Sequence, residues 1–302
     1  MGSESGENNK MFEIELIESL IENGLYEEAM SYIDRLIVKY ERDSYFLFLK
    51  GRIYYLTGKF NKAIEELTTV IAEDSDYWKA YELLGEIYRT TNQTELAETH
   101  YFKATAINPR AMQSWLGRGK LALQRGEYQI AVLSFETFLR TSRDEPEVWR
   151  LLGRSYREIQ NYISAIDSYN EAIEIDPTYQ ELYEELGDLY LSMGHPDIAK
   201  EKYLQGLQVE EKTRPINREL YYKVANLYLE EGLNQKAFNL CNELLVMAKD
   251  DDEALFISGK ALVKLGQKYE GIQKMKKAYE KTKKQEYKEY LDELDRQIYS
   301  PR

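Results

Sequence analysis

Eight small residues punctuate the chain at near-constant intervals: Ala29, Ala63, Ala97, Ala131, Ala165, Ala199, Ala237 and Gly271. Six of the seven gaps are 34 residues long and the remaining one is 38. A period of this size belongs to a supersecondary unit that cannot bury its apolar face alone and must stack on copies of itself. The period therefore restricts the fold to an array of similar modules, each touching only its neighbours.

Aligned on the markers, the units start at Lys10, Ser44, Trp78, Met112, Pro146, Gln180, Arg218 and Asp252, with Arg214 to Asn217 inserted ahead of the seventh. Positions 4, 7, 8 and 11 of each unit recur at helical spacing and define the buried stripe of a first helix. Positions 17, 20, 24 and 27 do the same on a second helix, as Tyr162, Ala165, Tyr169 and Ala172 illustrate. Position 8 is Gly in six units, with Ile17 in the first and Ala225 in the seventh. Small residues at positions 8 and 20 let the two arms of the hairpin approach closely. Position 15 is Gly in six units and Asn92 or Gln160 in the other two, which suits the left-handed end of a helix. Neither helix is long enough to be stable alone in water, so stacking must supply the stability.

The fifth unit, with Trp149, Leu152, Gly153, Tyr156, Tyr162, Ala165, Tyr169, Ala172 and Pro177, resembles the tetratricopeptide-repeat motif almost completely. The resemblance extends over residues 10–285 and implies an all-α fold, a right-handed α-α superhelix of eight helical hairpins. It also implies that the first helices line a concave groove, with positions 2, 5, 9 and 12 facing it. The first unit lacks the Gly and the eighth has Gly271 in place of Ala, departures expected of terminal units. Tyr287, Tyr290, Leu291, Leu294 and Ile298 continue at three- and four-residue spacing, so residues 286–302 are expected to carry a capping helix and tail. Residues 1–9 are polar, without an apolar anchor, and are expected to be disordered.

The net charge is −13, from 40 basic and 53 acidic residues. That balance argues against nucleic acid, whose phosphates require a basic footprint. No apolar run approaches the ~18 residues of a membrane span. The first apolar segment, Phe12 to Leu20, is broken by Glu13, Glu15 and Glu18 and does not read as a signal peptide. The expected location is the cytoplasm, with a leader removed beforehand, and hence a periplasmic or secreted destination, left open. Lone Cys241 takes a core position and reads as a small buried hydrophobe.

Catalytic motifs are absent. There is no CxxC, no HExxH and no phosphate loop with its Lys-Ser/Thr ending. Gly117-Arg118-Gly119-Lys120 resembles a phosphate-binding fragment but falls inside a helical pattern. His100 and His195 stand three units apart and cannot share a site in a nearest-neighbour array. The expectation is a non-enzymatic protein without cofactor or metal.

Function is therefore read from the groove positions. Ile14, Tyr45, Phe48 and Tyr55 form an apolar patch near one end, and Tyr222 and Phe256 form another near the other end. Exposed aromatics on a concave face mark a site for a peptide or helix. Position 9 reads Glu18, Arg52, Glu86, Lys120, Arg154, Asp188, Asn226 and Lys260, a row of mostly alternating charge that suits an ion-pair ladder. Arg150, Arg154 and Arg157 share a helix, with Arg89 and Lys120 in the units before, and together they suit a basic pocket for an acidic segment. Glu184 and Asp188 are the acids expected to neutralise Arg150 and Arg154, whereas Arg157 has none at its own row. The heat-shock carboxylate clamp of the resembled family is absent, because no unit has Lys at position 5 and Asn226 is paired with Tyr222 instead. The reading is a scaffold or adaptor that binds a peptide or helical segment of a partner protein. One rival is a structural assembly subunit, homo-oligomers through the solenoid ends included, since residues 260–288 carry a local charge of +7. The other is a regulator that senses a peptide or small ligand.

Overall fold

Seventeen helices and no strand make up the described residues of the computed structural model, which are 2–40, 43–209 and 216–299. They form two compact units, Met1–Arg143 and Asp144–Arg302. The first unit holds α1 (Gly2–Glu22), α2 (Tyr26–Lys39), α3 (Ser44–Leu56), α4 (Phe60–Glu73), α5 (Trp78–Thr90), α6 (Thr94–Ile107), α7 (Met112–Arg125) and α8 (Tyr128–Leu139). The second holds α9 (Pro146–Glu158), α10 (Tyr162–Ile175), α11 (Gln180–Ser192), α12 (Pro196–Gln208), α13 (Arg218–Glu230), α14 (Asn234–Met247), α15 (Asp252–Lys264), α16 (Lys268–Thr282) and α17 (Gln285–Tyr299). From α3 to α15, every odd-numbered helix begins at the residue that opens a sequence unit.

The turn inside each hairpin is set by position 15. Gly24, Gly58, Gly126, Gly194, Gly232 and Gly266 all have φ between 71° and 88°. The next N–H then reaches back five residues, as Lys59 does to the Tyr54 carbonyl at 2.8 Å, closing the C-terminus of the helix. Asn92 and Gln160 hold the same left-handed backbone, at φ 60° and 61°. Helix starts use other devices. Asp43, Asn161, Asn217 and Asp251 each accept a backbone N–H of the first turn, and Pro146 and Pro196 open α9 and α12.

Gly259 and Gly271 of the last hairpin make the close approach expected of small residues at positions 8 and 20, where a Cβ on either would lie 2.7 or 2.6 Å from the other's carbonyl oxygen, but position 8 also has a second role. The space left by the glycine is filled by the side chain at position 24, on the other arm of the same hairpin. A Cβ on Gly85 would lie 2.6 Å from the Tyr101 ring, one on Gly119 2.5 Å from Phe135, and one on Gly153 3.0 Å from Tyr169. Tyr101, Phe135, Tyr169 and Tyr203 are all buried. Where the glycine is missing, the ring is missing too: Ala225 faces a hairpin whose position 24 is Cys241, and the first hairpin has Ile17 and Ile33. The thiol of Cys241 is pushed up to about 12 by burial, which keeps it protonated and inert.

The ends differ in part from the sequence reading. α1 continues back to Gly2, through the polar residues for which composition predicts disorder. Extending a helix costs far less than nucleating one, and the nucleus lies in the apolar stripe that follows. Tyr287, Leu291 and Leu294 of α17 are buried on Phe256, Met275 and Ala278, as a cap requires; the Ile298 side chain and the tail from 300 onward lie outside the described residues. Of the insertion at Arg214 to Asn217, only Ile216 and Asn217 are described, Asn217 capping α13.

Two stability changes follow. Gln160→Gly releases a side chain from left-handed backbone and should raise stability by roughly 0.5–1 kcal/mol, after the entropy cost of a new glycine, read from the urea midpoint. Gly119→Ala should cost about 1–3 kcal/mol by overpacking. Combined with Phe135→Cys, which copies the Ala225–Cys241 pairing, it should cost at least ~1 kcal/mol less than the two single changes added, in a double-mutant cycle. Additive losses would mean that the two positions do not share one packing site.

Candidate functional site

The first helices α3, α5 and α7 stand side by side in the first unit and enclose a cavity of about 440 Å³. Its floor is Tyr101, wedged between Gly85 and Gly117, either of which would strike the ring if it bore a Cβ. The so-called phosphate fragment is thereby accounted for: it lies inside α7, with Gly117 against Tyr101 and Gly119 against Phe135. Tyr55, Trp78, Leu83 and Leu116 supply apolar wall, each only partly buried. Arg52, Lys79, Arg89 and Lys120 bring four positive charges to the lining, against the two carboxylates Glu82 and Glu86.

Both carboxylates are already engaged. Glu86 accepts two bonds from Arg89, at 2.9 and 2.5 Å, and a third from the Tyr101 hydroxyl at 2.7 Å. Burial works against its charge, but these bonds and the nearby Lys120 outweigh it and hold the carboxyl below its usual range. Glu82 accepts the Ser114 N–H and hydroxyl at 3.0 and 2.8 Å. Here burial wins, and its pKa stands above the usual value despite those bonds and Lys79. Arg52, Lys79 and Lys120, by contrast, form no ion pair among the described residues. The lining thus presents cations in excess of its carboxylates around an apolar middle.

The sequence candidates divide. Phe48, Arg52, Tyr55, Arg89 and Lys120 come together in this one cavity. Phe48, expected to be open to solvent, is only 9% exposed, because Tyr77 packs on it with ring centres 5.4 Å apart. Tyr45 and Ile14 lie outside the lining. Tyr45 is half-buried, its hydroxyl donating to Glu18 at 2.7 Å, and Ile14 packs on the core of the first unit.

In the second unit the aromatic and arginine candidates are mostly structural. Phe256 is 3% exposed because α17 covers it, with Tyr287 stacked at 3.9 Å. The Tyr222 hydroxyl donates to Asp251 at 2.7 Å. Arg150 pairs with Glu147 at 2.8 Å and Glu185 at 2.5 Å, not with Glu184. Glu184 and Asp188 are taken by Lys223, at 2.8 and 2.7 Å. Arg157 finds Glu158, its neighbour along the helix, at 3.0 Å. Arg154 alone of the three forms no ion pair among the described residues. Ion pairs between units therefore exist, but they do not join one ninth position to the next: Arg150, at position 5, meets Glu185 at position 6, and Asp188, at position 9, meets Lys223 at position 6.

Sequence reasoning missed Trp78, Glu82, Leu83 and Leu116. Glu82 and Leu116 stand at position 5, already a groove position, but carry neither the aromatic ring nor the guanidinium that marks a binding surface in sequence. Leu83, at position 6, and Trp78, at position 1, fall outside the rule and are visible only once the helices are placed.

Comparison with known proteins bears on this arrangement. A family model described as tetratricopeptide repeat matches residues 14–65, 57–113 and 184–254, and one described as TPR repeat matches 153–194. The TPR repeat-containing protein YpiA of Bacillus subtilis is 22% identical over 260 residues, covering 84% of this chain and 60% of its own. The C-terminal part of a TPR repeat-containing protein from Cytophaga hutchinsonii has a similar fold, with a TM-score of 0.67 at 19% identity over 80% of this chain and 97% of that one. YrrB, described as a TPR protein with an unusual peptide-binding site, gives 0.51 at 20% identity, over 63% of this chain and 95% of that one. At such identities these structures show the fold alone. The chain spans between 14% and 60% of the length of the curated relatives that it matches first. Among the described residues no helix is long and apolar enough to cross a membrane.

Glu82 offers a direct check on the electrostatics. Its folded pKa lies above the ordinary 4.5, so its contribution to stability is complete below that value and is lost as pH rises through the raised one. Glu82→Gln should keep an acceptor for Ser114 and flatten that part of the curve. The variant should be at least as stable as wild type at neutral pH, as urea midpoints between pH 4 and 7 would show. A difference between the two proteins that is the same at every pH would contradict the burial of this carboxylate.

Proposed function

The chain belongs to the tetratricopeptide-repeat family, and on that premise we propose that it is a protein-interaction scaffold whose first unit holds a segment of a partner protein. Proteins of this family generally mediate protein–protein interactions. The observation that carries the reading here is the cavity between α3, α5 and α7, where half-buried aromatic and aliphatic side chains face solvent together. Monomeric surfaces rarely leave such groups clustered in a concavity unless something covers them. The peptide-binding site ascribed to YrrB, a protein of similar fold, agrees with this use of the scaffold.

A photoreactive p-benzoylphenylalanine at Gln113, on the exposed rim, should capture the partner in native extract. The same group at Ile163, exposed on a second helix of the other unit, should not. Tyr55→Ala with Leu116→Ala should weaken binding of the purified partner at least tenfold. Burying one large apolar side chain contributes about 1.5–3 kcal/mol, and 1.4 kcal/mol is a factor of ten. Both residues are only partly buried, so circular dichroism should remain that of wild type. Equal capture from both sites, or unchanged affinity in the folded double variant, would remove the cavity from the binding surface.

A further inference from the structure

We propose that the occupant of the first-unit cavity is an extended acidic segment of a partner, with two carboxylate groups flanking an apolar side chain. One carboxylate is met by Arg52 and the other by Lys120, and the apolar side chain lies between Tyr55, Leu83 and Leu116. This inference rests on the reading of the cavity as a protein-binding site and specifies its ligand.

The argument starts from which charges are spent. Row 9 places Arg52, Glu86 and Lys120 on three consecutive first helices, a plus–minus–plus series that could have neutralised itself. It does not. Glu86 is engaged within its own hairpin, by Nε and Nη2 of Arg89 and by the Tyr101 hydroxyl. Arg52 and Lys120, one helix to either side, are left without an ion pair among the described residues. Glu82 likewise spends its hydrogen bonds on Ser114 and makes no ion pair with Arg52 or Lys120 among the described residues. Two cations without an ion pair thus bracket a central carboxylate whose oxygens are already bonded, in a protein whose net charge is −13. Such a local excess is complementary to an acidic ligand.

Geometry sets the spacing. Packed helices lie about 8–10 Å apart, so side chains on the first and third of three are separated by roughly 16–20 Å. An extended chain rises about 3.3 Å per residue, which spans that distance in about five or six residues. Leu83 and Leu116, with the Tyr55 ring, form the wall between the two cations and suit an aliphatic side chain halfway along.

A fluorescein-labelled peptide of sequence Asp-Glu-Ser-Leu-Ser-Glu-Asp tests this by anisotropy against the full chain. It should bind wild type, and raising salt from 0.05 to 0.5 M should weaken it at least tenfold. Arg52→Glu and Lys120→Glu should each weaken it at least fivefold, whereas Arg154→Glu, in the second unit, should leave it unchanged. Glu82→Gln should strengthen it by removing a nearby negative charge. Absence of binding, or binding indifferent to both charge reversals in the first unit, overturns the inference. If a peptide with Gln and Asn in place of the acids binds as well, and Tyr55→Ala with Leu116→Ala abolishes it, the cavity remains a protein site and only its acidic specificity fails. If that double variant also captures the native partner as wild type does, both readings fall.

Discussion

The contact on which the rest of the molecule depends is between a glycine on one arm of a hairpin and a ring on the other. Gly85 with Tyr101, Gly119 with Phe135, Gly153 with Tyr169 and Gly187 with Tyr203 are the same device four times over. A short helix cannot hold itself together in water, and a hairpin of two such helices has little apolar surface to share. Seating a large ring directly on bare backbone gives these four hairpins a large buried contact between their arms. It also fixes the distance between the arms, and so the spacing at which first helices stand beside one another.

That packing shapes the cavity as well as the core. Tyr101 reaches its floor because Gly117, on the following first helix, yields as Gly85 does. Its hydroxyl then claims an oxygen of Glu86, and Arg89 claims the rest. The carboxylate that would otherwise have served as counter-ion to Arg52 and Lys120 is consumed inside the wall. A local excess of cations in an acidic protein is thus a result of core packing: the buried tyrosine requires an acceptor, and supplying it leaves the cations over.

Much of this was legible in the sequence. The 34-residue period and the glycine at position 15 gave the helix boundaries from α3 to α15 and the left-handed turns, Asn92 and Gln160 included. Five groove candidates, Phe48, Arg52, Tyr55, Arg89 and Lys120, do share one cavity. What a linear pattern could not supply is which neighbour each side chain chooses. Arg150 turns to Glu185 and Glu147 where Glu184 was expected, because Lys223 holds Glu184 and Asp188 at once. Phe256 satisfies the groove pattern yet lies beneath α17, and a repeat register says nothing of what caps its last member. Likewise Leu83 stands at position 6, outside the groove rule, and reaches the cavity only once α3, α5 and α7 are placed.

The pairing of positions 8 and 24 also bears on how such a chain can have been assembled. Ala225 and Cys241 pair a larger residue at position 8 with a smaller one at position 24, and both lie within one hairpin. Genetic exchange that joined the first helix of the seventh hairpin to the second helix of the sixth would set the Ala225 methyl against the Tyr203 ring. Breakpoints between hairpins separate no such pair, so the heritable segment is the whole hairpin. Tyr101 crosses that boundary, since it needs Gly117 of the next hairpin as well as Gly85 of its own. The third and fourth hairpins must therefore travel as a doublet, and the cavity floor travels with them.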